Sequence, residues 1–438
     1  MTLHTANAMI RQLQCVLVAV VCGVLTCSYL FWREDEPSLQ MSLSITSGCN
    51  VEKLKSLDSP LYQSQAMKSQ LECRFAKRRE LLKRSCTKYH RYFLGPRFRI
   101  PPHGSKTNVR KRISLCRIAK VGSMFWMRVL AKYNIFHRSI LNTTAFVSST
   151  DLPQRLYMST KKYAFVRNPY TRLLSGYVDK IFSVNPTFWK NSGYNALKLI
   201  RYKNRTVTRT KQELNATCGT DITFAEYVDY ILYQLEGNIL IDNHFVPIHR
   251  QCAFCETEYD YIGKMETFLQ DMVYVAGALG MMEHNSTREV VLNEGIHGVD
   301  KMFYRNARNL FNGRRKDMEA CGVTLSQGVR ATWKRWQIRG MISMEIPFPV
   351  EANGINITHT RFYNLGQEAH ARSDPNILVQ GKHLALREAY GTLTYEAKAK
   401  LRTLFEPEFE MFDYESTPEF VFGKYEKTKF SFFDNKFD

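Results

Sequence analysis

The sequence predicts an α/β fold with a parallel sheet flanked by helices and carried on a single N-terminal transmembrane helix. Three stretches predict it. Two read as strand, turn and helix in succession. Ile113 to Ala119 leads through Lys120-Val121-Gly122-Ser123 into MFWMRVLAKY, and Tyr163 to Val166 leads through Arg167-Asn168-Pro169 into TRLLSGYVDKIF. The third runs from Cys15 to Trp32 without a charge. Repeated strand-to-helix units lay strands in parallel under their helices and leave ligands at the carboxyl ends of the strands.

The uncharged run is long enough to span a bilayer and is flanked by Arg11 and by Arg33-Glu34-Asp35-Glu36. It ends in Tyr29, Leu30, Phe31 and Trp32, bulky residues where signal-peptide cleavage prefers small ones, so an uncleaved anchor is expected. Five N-x-S/T sequons follow it, at Asn142, Asn204, Asn215, Asn285 and Asn356. Eight cysteines also lie beyond it: Cys49, Cys73, Cys86, Cys116, Cys218, Cys252, Cys255 and Cys321. An even count suits disulfides in an oxidising lumen, and Cys252-x-x-Cys255 lacks a second half at zinc-finger spacing. The expected organisation is a cytoplasmic tail at 1–12, a signal-anchor at 13–32, a Ser/Gln/Glu/Lys-rich stem at 33–70 and a luminal domain at 71–425. A type II membrane protein of the secretory pathway is therefore expected.

The chain has 438 residues, 44% of them hydrophobic, which excludes a disordered tail or a disulfide miniprotein. Its formal charge of +20 is concentrated in two windows. Residues 71–120 hold 16 Lys/Arg against 2 acidic residues, and residues 301–340 hold 10 against 2. The rest of the chain is nearly neutral, so a densely anionic partner is expected. The first window opens with a basic amphipathic helix at about 71–92, most of whose charges should face water. A Pro/Gly-rich break, LGPRFRIPPHGS, follows it. Among anionic partners, nucleic acid is disfavoured by a luminal topology.

The turn after the first strand has the geometry in which backbone N–H groups and a helix N-terminus face an anion. The chain lacks G-x-x-x-x-G-K-[ST], which disfavours an ordinary ATP-binding loop. Arg167, at the carboxyl end of the second strand, offers a guanidinium that grips a phosphate by two parallel hydrogen bonds. Ser175, eight residues on, brings a hydroxyl from the following helix.

Lys120 to Trp126 with Arg128-Val129, Phe165 to Tyr170, and Arg172-Leu173-x-Ser175-x-Tyr177 together resemble the nucleotide-binding segments of the Golgi carbohydrate sulfotransferases. The nearest branch holds the chondroitin, dermatan and N-acetylgalactosamine 4-O-sulfotransferases. Four further stretches fit it: Phe224-x-x-Tyr227-Val228, Asn243-His244-Phe245-x-Pro247 running to Cys255, Tyr259 to Thr267, and Leu401 to Tyr414. The resemblance covers roughly 77–275 and 390–415, whereas 280–385 matches poorly and reads as a divergent insert.

The resemblance implies a P-loop-like sulfotransferase fold and a Golgi location. It also implies transfer of a sulfuryl group from 3′-phosphoadenosine 5′-phosphosulfate (PAPS) to a glycan hydroxyl. The acceptor would be a glycosaminoglycan or another N-acetylgalactosamine-containing chain, modified at the 4-O position. Lys120, Val121, Gly122, Ser123, Met124, Phe125 and Trp126 would hold the 5′-phosphosulfate, and Arg167 and Ser175 the 3′-phosphate. Lys120 would neutralise the leaving phosphate, and His244 would take the acceptor proton as general base, with His249 as its competitor. Glu266 is expected to pair with Lys264 or Arg250, with orientation of a base or substrate as the alternative. No metal is expected, because lysine and arginine supply the positive charge that Mg²⁺ supplies in kinases.

Family members usually carry Thr and Asn where this chain has Met124 and Phe125, which removes two polar contacts. A glycan-binding protein without turnover is therefore one alternative, and a uronosyl 2-O-sulfotransferase is another. In the insert, Arg314-Arg315-Lys316 and Trp333-Lys334-Arg335-Trp336 are candidates for acceptor contact, the tryptophans by stacking on sugars.

Overall fold

The computed structural model of the chain describes residues 65–90, 105–109, 111–135, 147–148, 153–202, 218–239, 241–349 and 357–433. The expected tail, anchor and stem up to residue 64 lie outside the described residues, as do the sequons at Asn142, Asn204, Asn215 and Asn356. Among the described residues no helix is long and apolar enough to cross a membrane.

Five strands form one sheet in the order β3-β1-β2-β4-β5: β1 Ser105–Asn108, β2 Ile113–Cys116, β3 Val147–Ser148, β4 Lys161–Val166 and β5 Tyr261–Lys264. The expected parallel part is present, since β2 pairs parallel with β4 and β4 with β5. The expectation of an all-parallel sheet is corrected, because β1 pairs antiparallel with both β2 and β3. A tight connection sets that direction. Asn108 Oδ1 accepts the Lys111 N–H at 2.9 Å, and Arg112 adopts φ 52° before β2 begins. So short a turn can join only antiparallel neighbours. β2 and all but the first residue of β4 are buried, as strands covered on both faces must be.

Helix α1 (Gln65–Lys88) precedes the sheet, and α2 (Ser123–Ile135) follows β2. Helix α3 (Pro169–Tyr177) follows β4. Its Asn168 cap accepts from the N–H groups of Tyr170 and Thr171, and Pro169 starts the first turn, where its missing N–H costs nothing. The helix then widens into a π-helical turn, Val178–Phe182. Helices α4 (Phe224–Glu236) and α5 (Phe268–Ala278) complete the body. The region expected as an insert supplies α6 (Asn285–Arg308), α7 (Leu325–Ile338), α8 (His359–Ala371) and most of α9 (Pro375–Gly391), and α10 (Tyr395–Met411) follows.

The insert packs as a helical layer with its own core of Phe303, Trp333, Trp336, Phe362 and Leu365, joined to the body by the Cys218–Cys321 disulfide. This corrects the stacking role expected for its tryptophans. Trp336 is fully buried and lies 4.7 Å from the Phe362 ring, so neither it nor the buried Trp333 can reach a sugar. Arg314 donates to the Val184 carbonyl and Arg315 pairs with Glu319, so these side chains are engaged within the protein.

Disulfides were expected and are present, and Cys252 and Cys255 join separate partners rather than a metal. Cys116, the last residue of β2, is bonded to Cys252, and Cys86 of α1 to Cys255. Helix α1 is less of a free basic rail than its charge implies. Arg74 and Arg78 both pair with the buried Asp271, Arg79 donates to the Asp260 carbonyl, and Lys88 pairs with Glu410.

Candidate active site

The three parallel strands end side by side, and each is followed by a segment bearing a candidate residue. Lys120 follows β2, Arg167 follows β4 and Glu266 follows β5. The first turn is the most distorted. Lys120 has φ 71° and Gly122 φ 78°, and a left-handed backbone at a lysine is unfavourable unless the surroundings hold it. At Gly122 a side chain is excluded twice over, by the angle and by Phe268, whose ring lies 2.7 Å from where a Cβ would sit.

The first intrahelical bond of α2 runs from Trp126 N–H to Gly122 O at 3.2 Å. The N–H groups of Ser123, Met124 and Phe125 therefore lack an intrahelical acceptor and present the positive end of the helix. Val121, Phe125 and Trp126 bury their side chains in the core, so only their backbone is available to a ligand. Met124 is 57% exposed.

Lys120 Nζ lies 3.1 Å from Asp179 Oδ2, in the π-helical turn beyond α3. Burial pulls Lys120 down to about 7, and Arg339 and Arg335 push the same way against the attraction of Asp179. The Asp179 carboxyl is held well below the carboxylate range: burial opposes this, but the charges of Lys120, Arg335, Arg339 and Lys180 outweigh it. A bound anion would restore the Lys120 proton, so binding takes up a proton at and above neutrality. Affinity for 3′-phosphoadenosine 5′-phosphate should be greatest below pH 7 and fall as pH rises through 7, by up to tenfold per unit. Titration by calorimetry between pH 6 and 9 checks this, and a flat profile would refute it.

Arg167 donates through Nε to Thr171 Oγ1 at 3.0 Å, and Ser175 lies half-buried on α3, one turn before Asp179. Glu266 fixes the turn beside Arg167. One oxygen accepts the Asn168 N–H at 2.8 Å and the other the Tyr414 hydroxyl at 2.8 Å.

His244 is tied to Asp242, whose carboxylate contacts Nδ1 and also accepts the His244 backbone N–H at 2.9 Å. In the tautomer that donates Nδ1–H to this carboxylate, Nε2 carries the lone pair that a proton acceptor requires. The ring meets Phe188 edge to face, and Lys180 Nζ sits 4.8 Å from the centre of that same ring. Lys180 in turn lies 3.6 Å from Asp179, so a short chain of contacts joins His244 to Lys120. His249 is buried against Glu408, at 3.1 Å from Nδ1, and burial lowers its pKa. That placement keeps His249 from an acceptor hydroxyl.

Sequence reasoning passed over five residues here. Arg172 was read only as part of the motif, but it is buried and donates to the carbonyls of Ala119, Val246 and Asn243. It thus clamps the Lys120 turn to the His244 segment. Gly176 permits the same closeness, since a Cβ there would meet Phe245 at 2.8 Å. Asp242 was legible as a carboxylate two residues from a histidine. Asp179 and Arg339 carried no local signal.

Residues 104–318 match the sulfotransferase family. Over that stretch the chain is similar to the family. It is 29% identical over 188 residues to carbohydrate sulfotransferase 14 of Danio rerio, covering 40% of this chain and 48% of that protein. It is 28% identical over 209 residues to carbohydrate sulfotransferase 8 of Mus musculus, covering 44% and 48%. With carbohydrate sulfotransferase 11 of Rattus norvegicus it shares 29% identity over 183 residues, covering 38% and 50%. The chain spans about half the length of these relatives. No solved structure matches it.

Proposed function

We propose that this protein transfers a sulfuryl group from PAPS to a hydroxyl of a glycan, as an anchored Golgi enzyme with its catalytic domain in the lumen. The favoured acceptor is the 4-hydroxyl of N-acetylgalactosamine in chondroitin- or dermatan-type chains. The observation that carries the reading is the buried Lys120 in a left-handed turn that opens onto the N-terminus of α2. The donor bears phosphate at both ends, and the Lys120 turn with Arg167 supplies two anion sites at neighbouring strand ends.

In this reading the acceptor oxygen forms a bond to sulfur while the bond from sulfur to the bridging phosphate oxygen breaks. The acceptor proton passes to His244 Nε2, and Lys120 meets the charge left on the phosphate. Positioning and electrostatics do the work, as in phosphoryl transfer. A glycan-binding protein without turnover is the second reading, favoured by Met124, which exposes a thioether at the first turn of α2.

Transfer of labelled sulfate from PAPS onto chondroitin, dermatan, heparan and N-acetylgalactosamine-terminated acceptors tests the proposal. The protein should label at least one acceptor, and Lys120→Ala and Arg167→Ala should each reduce labelling about 10²-fold or more. Undiminished labelling in both variants would reject this site. Nucleotide binding without labelling would favour the second reading, and labelling of heparan alone would point to a uronosyl acceptor.

A further inference from the structure

Helix α7 ends beside the Lys120–Asp179 pair, and its end is rigid. Met341 N–H bonds to Trp336 O at 2.8 Å and Gly340 N–H to Gln337 O at 2.9 Å, a pair of bonds that closes the final turn around Arg339 as cap. Gly340 has φ 60°, and a Cβ there would meet the Leu378 carbonyl at 2.7 Å, so the backbone leaves only one course. Trp336, fully buried in the same turn, holds it to the core.

Arg335 and Arg339 are four residues apart and share one helix face. Arg335 Nη2 donates to Asp179 Oδ1 at 2.7 Å, while its Nε is buried without a hydrogen-bond partner. The Arg339 side chain is half-buried and makes no hydrogen bond or ion pair with any other described residue, while its backbone N–H bonds to Arg335 O at 3.1 Å. It nevertheless feels the charges of Arg335, Asp179 and Arg167, which places it within electrostatic range of both the Lys120 pair and the strand end bearing Arg167. The single carboxylate of Asp179 is thus shared among Lys120, Lys180 and Arg335, with Arg339 close by. Partly desolvated positive charge in such excess is unfavourable until an anion joins it. Burial also lowers Arg339 to about 10, as expected for a guanidinium short of counter-charge.

We propose that Arg339, supported by Arg335, is a third clamp for a tetrahedral oxyanion, phosphate or sulfate, acting together with Lys120 and Arg167. The group belongs either to the nucleotide donor or to a sulfated acceptor, and only this choice rests on the function proposed above. A helix outside the residues that resemble the nucleotide-binding segments would then take part in substrate recognition. A guanidinium with several unused donors suits an oxyanion better than a neutral sugar hydroxyl.

The test uses the full-length chain with Arg339→Gln and Arg339→Lys. Neither variant should lower the thermal unfolding temperature without ligand, because the Arg339 side chain makes no hydrogen bond or ion pair with a described residue and its charge is uncompensated there. Arg339→Gln should weaken binding of 3′-phosphoadenosine 5′-phosphate by about ten- to a hundredfold, with partial recovery in Arg339→Lys, if the donor is the ligand. If the acceptor is the ligand, nucleotide affinity stays at the wild-type value. The KM for a sulfated glycan then rises about tenfold while that for its desulfated counterpart does not. Wild-type nucleotide affinity together with a wild-type KM in Arg339→Gln overturns the clamp and leaves the proposed function standing. If the wild-type protein ignores the nucleotide, the donor reading fails. The clamp then survives only if inorganic sulfate raises the melting temperature of the wild type and not of Arg339→Gln.

Discussion

Replacing Arg172 with alanine should destabilise the protein by about 3–5 kcal/mol and reduce the proposed sulfate transfer about 10²-fold even in the molecules that remain folded. The guanidinium is buried and spends all three of its nitrogens on carbonyls: Ala119 at 3.1 Å, Val246 at 2.9 Å and Asn243 at 3.1 Å. Hydrogen bonds from a charged donor contribute about 1.5–3 kcal/mol each and do not add fully when they share one group. Alanine would take a charged donor from all three carbonyls, of which Val246 O keeps the Gln251 amide at 2.6 Å, and would leave a void where the side chain lay. The kinetic effect has a separate cause. Ala119 precedes Lys120, while Asn243 and Val246 bracket His244, so one side chain sets the spacing between the proposed charge neutraliser and the proposed base. Arg172→Lys separates the two effects, because a single ammonium cannot reach three divergent carbonyls. It should recover part of the stability and little of the turnover. Denaturant unfolding and kcat at saturating donor measure both, and an Arg172→Ala protein within 1 kcal/mol of wild type would refute the clamp.

The parallel half of the sheet was legible because the sequence repeats strand, turn and helix, and the turn residues are those such turns require. Asn168 caps, Pro169 starts the helix and Gly122 takes the left-handed angle. The antiparallel edge was not legible. β1 begins directly after a Pro/Gly-rich break, β3 is two residues long, and the pairing of both depends on a turn and on contacts distant in sequence. Lys120, Arg167 and His244 could be named because each lies in a local motif. Asp179 and Arg339 could not, since their meeting depends on packing α7 against the end of α3, and a periodic basic helix reads as a solvated face until its neighbour is known. The same reasoning explains Trp333 and Trp336, which the structure buries. Aromatic residues near basic ones look like a sugar platform in sequence, and only the helix phase tells which face is turned inward.

Asp271→Asn should be among the most destabilising single substitutions in the protein, by about 3–5 kcal/mol, because it removes the buried carboxylate that Arg74 and Arg78 share. The carboxylate of Asp271 is fully buried on α5, and Arg78 Nη1 lies 2.6 Å from one oxygen and Arg74 Nη1 3.2 Å from the other. It also accepts the Lys264 N–H at 2.8 Å and the Thr267 hydroxyl at 2.6 Å. An amide of the same shape can accept through one oxygen only, and its NH₂ would face donors where an acceptor is needed. Two arginines of α1 would remain desolvated without a counter-charge. The consequence should reach the candidate site, since Lys264 ends β5 and Thr267 closes the turn through Glu266, which holds the Asn168 N–H beside Arg167. Nucleotide affinity should therefore fall together with stability. Adding Arg78→Met to Asp271→Asn removes one of the stranded cations and should recover part of the loss, although each change alone is harmful. Equal destabilisation of the single and double variants in a denaturant titration would show that lost hydrogen bonds, rather than uncompensated charge, dominate at this site.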